Sequence, residues 1–452
     1  RKEIILPIRI AFVSLGCDKN LVDSEVMLGL LQKSGFALIS DESQADVIVV
    51  NTCCFIQDAK EESIENILEM AQYKKTGHCK ALIVTGCMAE RYKEEILAEI
   101  PEVDGVVGTT GYEGIVEVVE EILKGKKIQK FADINIKIKE DYQRVLSTAG
   151  YFAYLKIAEG CDNKCTYCII PQLRGSYRSR SIESLIKEAK ALVNQGVKEL
   201  ILVAQDTTRY GIDLYGEKRL PQLLRELCKI EGLKWIRLLY CYPEEITDEL
   251  IDVIAEEEKV CSYLDMPIQH ANTSILKRMG RRSTREDLIH LINKLRKRIP
   301  DICLRTTLIV GFPGETDAEY EDLVQFVKEM KFDRLGVFTY SKEEGTAAAK
   351  MKGHISKKTK ELRKDKIMKL QQSICEEKSA QCIGKTLEVI IDGKLPEENV
   401  YCGRTYRDAP EIDGMVFVNS DEELLSGDFI KVFIASANEY DLIGRIVDES
   451  GE

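Results

Sequence analysis

The chain has 452 residues, a formal charge of −12 and 15 cysteines. That length implies two or three domains, each able to bury a core, and 31% charged with 44% apolar residues is the composition of an ordinary globular protein. No run of about 18 apolar residues occurs, which excludes a membrane-spanning helix, and the acidic balance disfavours a dedicated nucleic-acid binder.

No secretory leader is expected ahead of the first strand-like run. From Ile8 to Phe131, apolar runs (Ile8–Leu15, Asp46–Thr52, Ala81–Gly86) alternate with amphipathic stretches such as Ser24–Ser34 and Lys60–Lys74. Near-continuous apolar strands separated by helices predict an α/β domain over 1–135, its parallel sheet covered on both faces. Residues 134–148 are polar and weakly periodic and read as a linker. The alternation restarts at Tyr151, with six strand candidates: Phe152–Ala158, Glu199–Ala204, Trp235–Tyr242, Tyr263–Ile268, Leu304–Val310 and Arg334–Tyr340. Six consecutive βα units predict a partial (β/α)6 barrel over 150–380; a full barrel needs two more units. A charged amphipathic helix, His354–Gln381, leads into short strands with turn signals. These are Thr386–Ile391, Tyr401–Thr405, Met415–Asn419, Asp428–Ser436 and Asp441–Val447, which predict a small antiparallel β-barrel over 381–452.

Directly after the first strand of the central domain stands Cys161-Asp162-Asn163-Lys164-Cys165-Thr166-Tyr167-Cys168. Three thiolates in one tight loop can hold three irons of a [4Fe–4S] cube and leave the fourth open to an amine and a carboxylate. A structural zinc site would bring four ligands and Cys-x2-Cys pairs, and His78, His270, His290 and His354 are scattered through the chain. The loop also sits where barrel folds bind ligands, at the C-terminal end of a strand. Two other strand ends carry polar or glycine-rich turns, Gln205-Asp206 and Gly311-Phe312-Pro313-Gly314. Glycine there permits close backbone approach to a ligand, though ordinary turn chemistry explains the pattern as well.

The N-terminal domain has a second set. Cys17, Cys53 and Cys87 each follow a predicted strand, and parallel strands put their C-terminal ends on one sheet edge at spacings of about 4.8 Å. Three buried packing cysteines are the plainer alternative. Spacing barely separates Cys53 from Cys54, but Cys53 holds the strand-end position of the other two. The remaining cysteines are expected to pack in the core. A long, Lys/Glu-rich chain with closely spaced cysteines points to a reducing, cytoplasmic setting rather than a secreted disulfide scaffold.

The central loop, with Tyr167 before its third cysteine, resembles the radical S-adenosylmethionine (SAM) superfamily. Two three-cysteine sites followed by a terminal β-barrel resemble the methylthiotransferases of that superfamily over nearly the whole chain. Lys19-Asn20, Asp23-Ser24-Glu25, Asn51-Thr52-Cys53, Thr85-Gly86-Cys87, Arg174-Gly175, Arg178-Ser179-Arg180 and Asp265–His270 carry the likeness. The resemblance implies an N-terminal cluster domain, a radical SAM core and a C-terminal TRAM barrel. It implies two [4Fe–4S] clusters, held by Cys17, Cys53 and Cys87 and by Cys161, Cys165 and Cys168. SAM would bind the second, near Tyr167, Gln205, Asp206, Gly311 and Gly314, and yield a radical there. A second SAM molecule would methylate sulfur carried at the first cluster. A reductant such as flavodoxin or ferredoxin would supply the electron.

The family modifies tRNA adenosines or, in one branch, the β-carbon of an aspartate in small-subunit ribosomal protein twelve. Ser14–Glu25 and Ala204–Gly211 resemble the ribosomal-protein branch, which usually has proline where this chain has Asp18. Charge points the same way. Residues 381–452 hold 16 acidic and 6 basic side chains, a balance of −10. Such a barrel repels RNA phosphates and attracts a Lys/Arg-rich ribosomal protein.

Overall fold

The computed structural model describes residues 7–140, 143–396 and 398–447. The first sheet contains β1 (Arg9–Ser14), β2 (Ala37–Ile39), β3 (Val47–Thr52), β4 (Ala81–Gly86), β5 (Gly105–Val107) and β6 (Ile128–Lys130). All pairs are parallel, in the order β2-β1-β3-β4-β5-β6. β3 and β4 are buried along their whole length, as their unbroken apolar sequences require. One face packs Met27 and Leu31 of helix Asp18–Lys33 with Val118 and Ile122 of helix Ile115–Leu123. The other packs Ile67, Met70 and Ala71 of helix Gln57–Thr76. Sequence reading found β1, β3 and β4 and missed β2, β5 and β6, each only three residues long.

The central domain opens with β7 (Phe152–Lys156), then a short antiparallel pair, β8 (Ala158–Glu159) and β9 (Arg178–Ser179), which brackets the cysteine loop. β10 (Glu199–Val203), β11 (Trp235–Leu238), β12 (Val260–Asp265), β13 (Cys303–Val310) and β14 (Arg334–Thr339) follow. The order β14-β13-β12-β11-β10-β7 is sequential and parallel, with no pairing between β14 and β7. This is the expected partial barrel. Its outer face is covered by helices in one large apolar cluster. Its inner face, including Phe152, Trp235 and Tyr263, is closed by Val22 from the N-terminal domain and by Ile390 and Ala409 from the C-terminal domain.

The C-terminal barrel is closed by β15 (Thr386–Lys394), β16 (Val400–Arg404), β17 (Val416–Asn419), β18 (Phe429–Ala437) and β19 (Leu442–Ile446), in the order β15-β16-β17-β19-β18. This is the expected small antiparallel barrel but for one pair: β17 and β19 run parallel, from Val416 opposite Leu442 to Asn419 opposite Arg445. Five strands in a ring cannot alternate in direction all the way round, so one parallel pair is forced.

Candidate functional site

The three N-terminal cysteines lie where the register predicts. Ser14 pairs with Asn51, and Asn51 with Thr85, so the chains leaving β1, β3 and β4 emerge side by side. Cys17 caps helix Asp18–Lys33 and Cys87 opens helix Cys87–Tyr92. Gly16, at φ +89°, lets its turn close on β3: a Cβ there would lie 2.6 Å from Cys53 Cβ and 3.1 Å from its Sγ. Asn20 stitches the edge together, its Nδ2 donating to Leu15 O (3.1 Å) and Thr52 O (2.9 Å). Its Oδ1 stands 4.0 Å from Cys87 Sγ. Asp18 accepts from its neighbour's Lys19 N–H (2.8 Å) and faces the Tyr240 hydroxyl (3.3 Å).

Burial pushes the Cys53 thiol up to about 12, reinforced by Cys87 and Cys17 and opposed by Arg174. Burial also raises Cys87, and the Arg174 guanidinium is the main opposing influence. Cys54 is fully buried in the apolar cluster beneath helix Gln57–Thr76, and its carbonyl accepts from Arg91. Its thiol is raised by burial and then by Cys87. Cys53 thus lies against the turn that carries Cys17, whereas Cys54 is packed in the apolar cluster.

The central loop is held from three sides. Cys161 N–H donates to Gly175 O (3.1 Å), Asn163 Nδ2 to Asp206 Oδ2 (2.8 Å), and Thr166 N–H to Met279 O (2.9 Å). Cys161, Cys165 and Cys168 are all partly buried. Ile170 N–H donates to Cys168 Sγ (3.4 Å), and Tyr242 Oη lies 3.4 Å from Cys165 Sγ. Burial raises Cys161 to about 11 and, with Cys165, raises Cys168. Such thiols stay protonated until a metal displaces the proton. Among the described residues no three His, Cys, Asp or Glu side chains converge tightly enough for a single metal ion. Three thiols in one loop, without a fourth, fit a cube with one open iron.

The other expected contacts divide. Tyr167 packs against Ile275, Met279 and Phe312. Gln205 turns Nε2 to Glu159 (2.7 Å) and leaves a buried Oε1 without a hydrogen-bond partner. Gln269 Oε1, two turns along the strand ends, is left in the same state. Asp206 is committed to the scaffold, accepting from Asn163 and from Thr208 N–H (3.1 Å). Gly311 and Gly314 have φ of +73° and +75°, but the close neighbours that exclude a Cβ are Lys360 Cγ (2.1 Å) and Arg278 Nη1 (2.7 Å).

A buried charge quartet beside the N-terminal cysteines had no role assigned from sequence. Arg174 Nη1 lies 2.6 Å from Asp23 and 3.2 Å from Glu159, and its Nη2 donates to Asn20 Oδ1. Lys156 pairs with the same two carboxylates, at 2.8 Å from Glu159. Despite burial, Lys156 and Arg174 hold the Glu159 carboxyl well below the usual carboxylate range. The signals in sequence were proximity, with Glu159 and Arg174 flanking the central cysteines and Asn20 and Asp23 following Cys17, and the family-like motifs that contain Asn20, Asp23 and Arg174.

Fold and paired cysteine sites define a radical SAM enzyme. Residues 155–327 match the Radical SAM superfamily, 9–108 the Uncharacterized protein family UPF0004, and 383–447 the TRAM domain. The radical SAM methyltransferase TsrM from Kitasatospora setae, solved with cobalamin and a [4Fe-4S] cluster bound, shares the fold, with a TM-score of 0.55 at 14% identity over 88% of this chain and 81% of that one. Much nearer in sequence is the ribosomal protein uS12 methylthiotransferase RimO of Lachnoclostridium phytofermentans, 61% identical across 96% of this chain and 99% of its own. The RimO of Clostridioides difficile is 54% identical across 98% and 99%. The chain belongs to this RimO methylthiotransferase family, as the motifs implied. It is a transferase that works with SAM and [4Fe–4S] clusters. Among the described residues no helix is long and apolar enough to cross a membrane.

Proposed function

We propose that this enzyme transfers a methylthio group to an aspartate β-carbon of ribosomal protein uS12. The observation that carries the reading is a three-cysteine sheet edge in the N-terminal domain and a three-cysteine loop in the central domain, in a chain 61% identical to a uS12 methylthiotransferase. Cys161, Cys165 and Cys168 would hold the cluster that binds SAM, and Cys17, Cys53 and Cys87 the second cluster. When bound, these groups supply a carbon-centred radical for hydrogen abstraction and a site for sulfur. The chain's own part is placement. Gly16 and Asn20 gather the N-terminal thiols, and Asp206 and Asn163 shape the central loop. The unpartnered amides of Gln205 and Gln269 offer acceptors to a polar ligand at the strand ends. A flavodoxin or ferredoxin in the cytoplasm would provide the electron.

The acidic C-terminal barrel favours a basic protein over RNA. Glu398, Asp421, Glu422 and Glu423 are exposed; Glu397, of the same group, lies outside the described residues. The test runs purified uS12 and tRNA side by side with the reconstituted enzyme and measures methylthio incorporation by mass spectrometry. Modification of uS12, weakening as salt screens the barrel over about 8–10 Å, is expected. Exchanging the five acids for Lys should abolish uS12 modification while SAM cleavage persists. Efficient modification of tRNA, with none of uS12, would overturn the reading.

A further inference from the structure

The charge quartet is neutral in sum but not in arrangement. Both carboxylates, Asp23 and Glu159, are shared by Lys156 and Arg174. Lys156 sits on the far side, its ammonium 5.9 Å from the centre of the Tyr112 ring. Arg174 sits on the near side. Its Nη2 donates to Asn20 Oδ1, the same oxygen that stands 4.0 Å from Cys87 Sγ. The chain presents it there deliberately, since Arg174 ends the short helix Ile170–Arg174 that leaves the central cysteine loop. Arg174, Asp23 and Asn20 are all buried, so water screens the charge little. Both Cys53 and Cys87 feel the guanidinium as a stabiliser of their thiolate forms.

We infer that Arg174 is a positioning residue that sets the reduction potential of the N-terminal cluster, raising it through its buried charge, while Asp23 and Glu159 fix the guanidinium and temper its effect. The inference rests on Cys17, Cys53 and Cys87 being that cluster's ligands. A cube on three thiolates gains negative charge on reduction, and a cation held in low dielectric favours the more negative state. Removing the cation must lower the potential. Neutralising a carboxylate that tempers it must raise the potential. Opposite signs at two touching residues separate this role from mere structural support, in which either loss disturbs the site alike.

The experiment uses the full chain with Cys161, Cys165 and Cys168 changed to Ala, so that one cluster remains, reconstituted anaerobically and titrated with EPR detection. In that background Arg174→Met should lower the reduced-to-oxidised ratio at fixed potential at least tenfold, equivalent to about 59 mV for one electron. Arg174→Lys should recover part of the shift, and Asp23→Asn should move the midpoint upward. If Arg174→Met does not hold iron, the other two variants still decide by sign. Unchanged midpoints, or shifts of one sign in Arg174→Met and Asp23→Asn at full iron content, would overturn the inference. A parent protein with no iron at all would overturn the ligand assignment, and the inference with it; iron analysis reads that outcome separately.

Discussion

Gly16→Ala is the sharpest probe of how the N-terminal site is assembled. The substitution adds one methyl group at φ +89°, 2.6 Å from Cys53 Cβ and 3.1 Å from Cys53 Sγ. Left-handed backbone costs an alanine roughly 1–2 kcal/mol, and overpacking of this kind a further 1–3 kcal/mol or so. The total, roughly 2–5 kcal/mol, is a large part of a domain's stability. The neighbour in the way is not the far end of a flexible side chain but the Cβ of a cysteine, so relief comes by moving Cys53 away from Cys17. Iron should therefore fall from about eight to about four per chain after anaerobic reconstitution, with reductive SAM cleavage kept. Gly125→Ala supplies the control: its φ is +87° but nothing lies within 4 Å, so it carries the backbone strain without the collision. Iron and EPR signals in Gly16→Ala equal to those of Gly125→Ala would refute the contact argument.

The two cysteine sets should separate cleanly by function. Ala at Cys161, Cys165 and Cys168 should leave about half the iron and no 5′-deoxyadenosine, whereas Ala at Cys17, Cys53 and Cys87 should spare SAM cleavage and abolish methylthio product. Cys54→Ala should keep the N-terminal cluster that Cys53→Ala loses; equal losses in iron assays would show the wrong cysteine was chosen. At the junction with the C-terminal barrel, Glu199 pairs with Arg237 (2.7 Å) and Arg404 (2.9 Å), all three fully buried or nearly so. Arg404→Met leaves Glu199 with Arg237 alone and takes the same guanidinium from Asp392, at a cost of about 3–5 kcal/mol, read as a lower calorimetric melting temperature. Against burial, Arg404 and Arg237 hold the folded Glu199 carboxyl below its usual value. Its contribution is thus present above the unfolded pKa of about 4.3 and fades as pH falls below it. Wild type should lose stability in that range more steeply than Glu199→Gln.

Much of this site was legible in sequence because its thiols sit at the ends of unbroken apolar runs. β3 and β4 could be read from Val47–Thr52 and Ala81–Gly86 alone, and a parallel sheet leaves such ends on one edge. The central loop needed only local spacing. What was not legible depends on partners far apart in the chain: Asp23 and Arg174 are 151 residues distant, and no local pattern announces such a pair. Three-residue edge strands are too short for periodicity to register, and the parallel β17–β19 pair leaves no mark on composition. At Gly311 and Gly314 the protein atoms next to the missing Cβ come from Lys360 and Arg278, which lie far away in the chain and leave no local mark in the sequence.

The domain junctions share one physical device. Lys60 and Arg91 of the N-terminal domain grip Glu343 of the central domain at 2.9 and 2.8 Å. Asp23 meets Lys156 and Arg174, and Glu199 and Arg334 meet Arg404 and Asp408. Buried ion pairs seldom stabilise a fold more than well-packed apolar residues would, so stability alone does not account for three such junctions. Apolar contact is non-directional and tolerates sliding; a fork of N–H donors on a carboxylate does not. Two cysteine sites that sit on different domains and must act on one substrate have to keep a fixed separation, because misplacement by about 1 Å costs reactions heavily. The ionic junctions meet that requirement, and the one nearest the thiols places a cation where its field also reaches them.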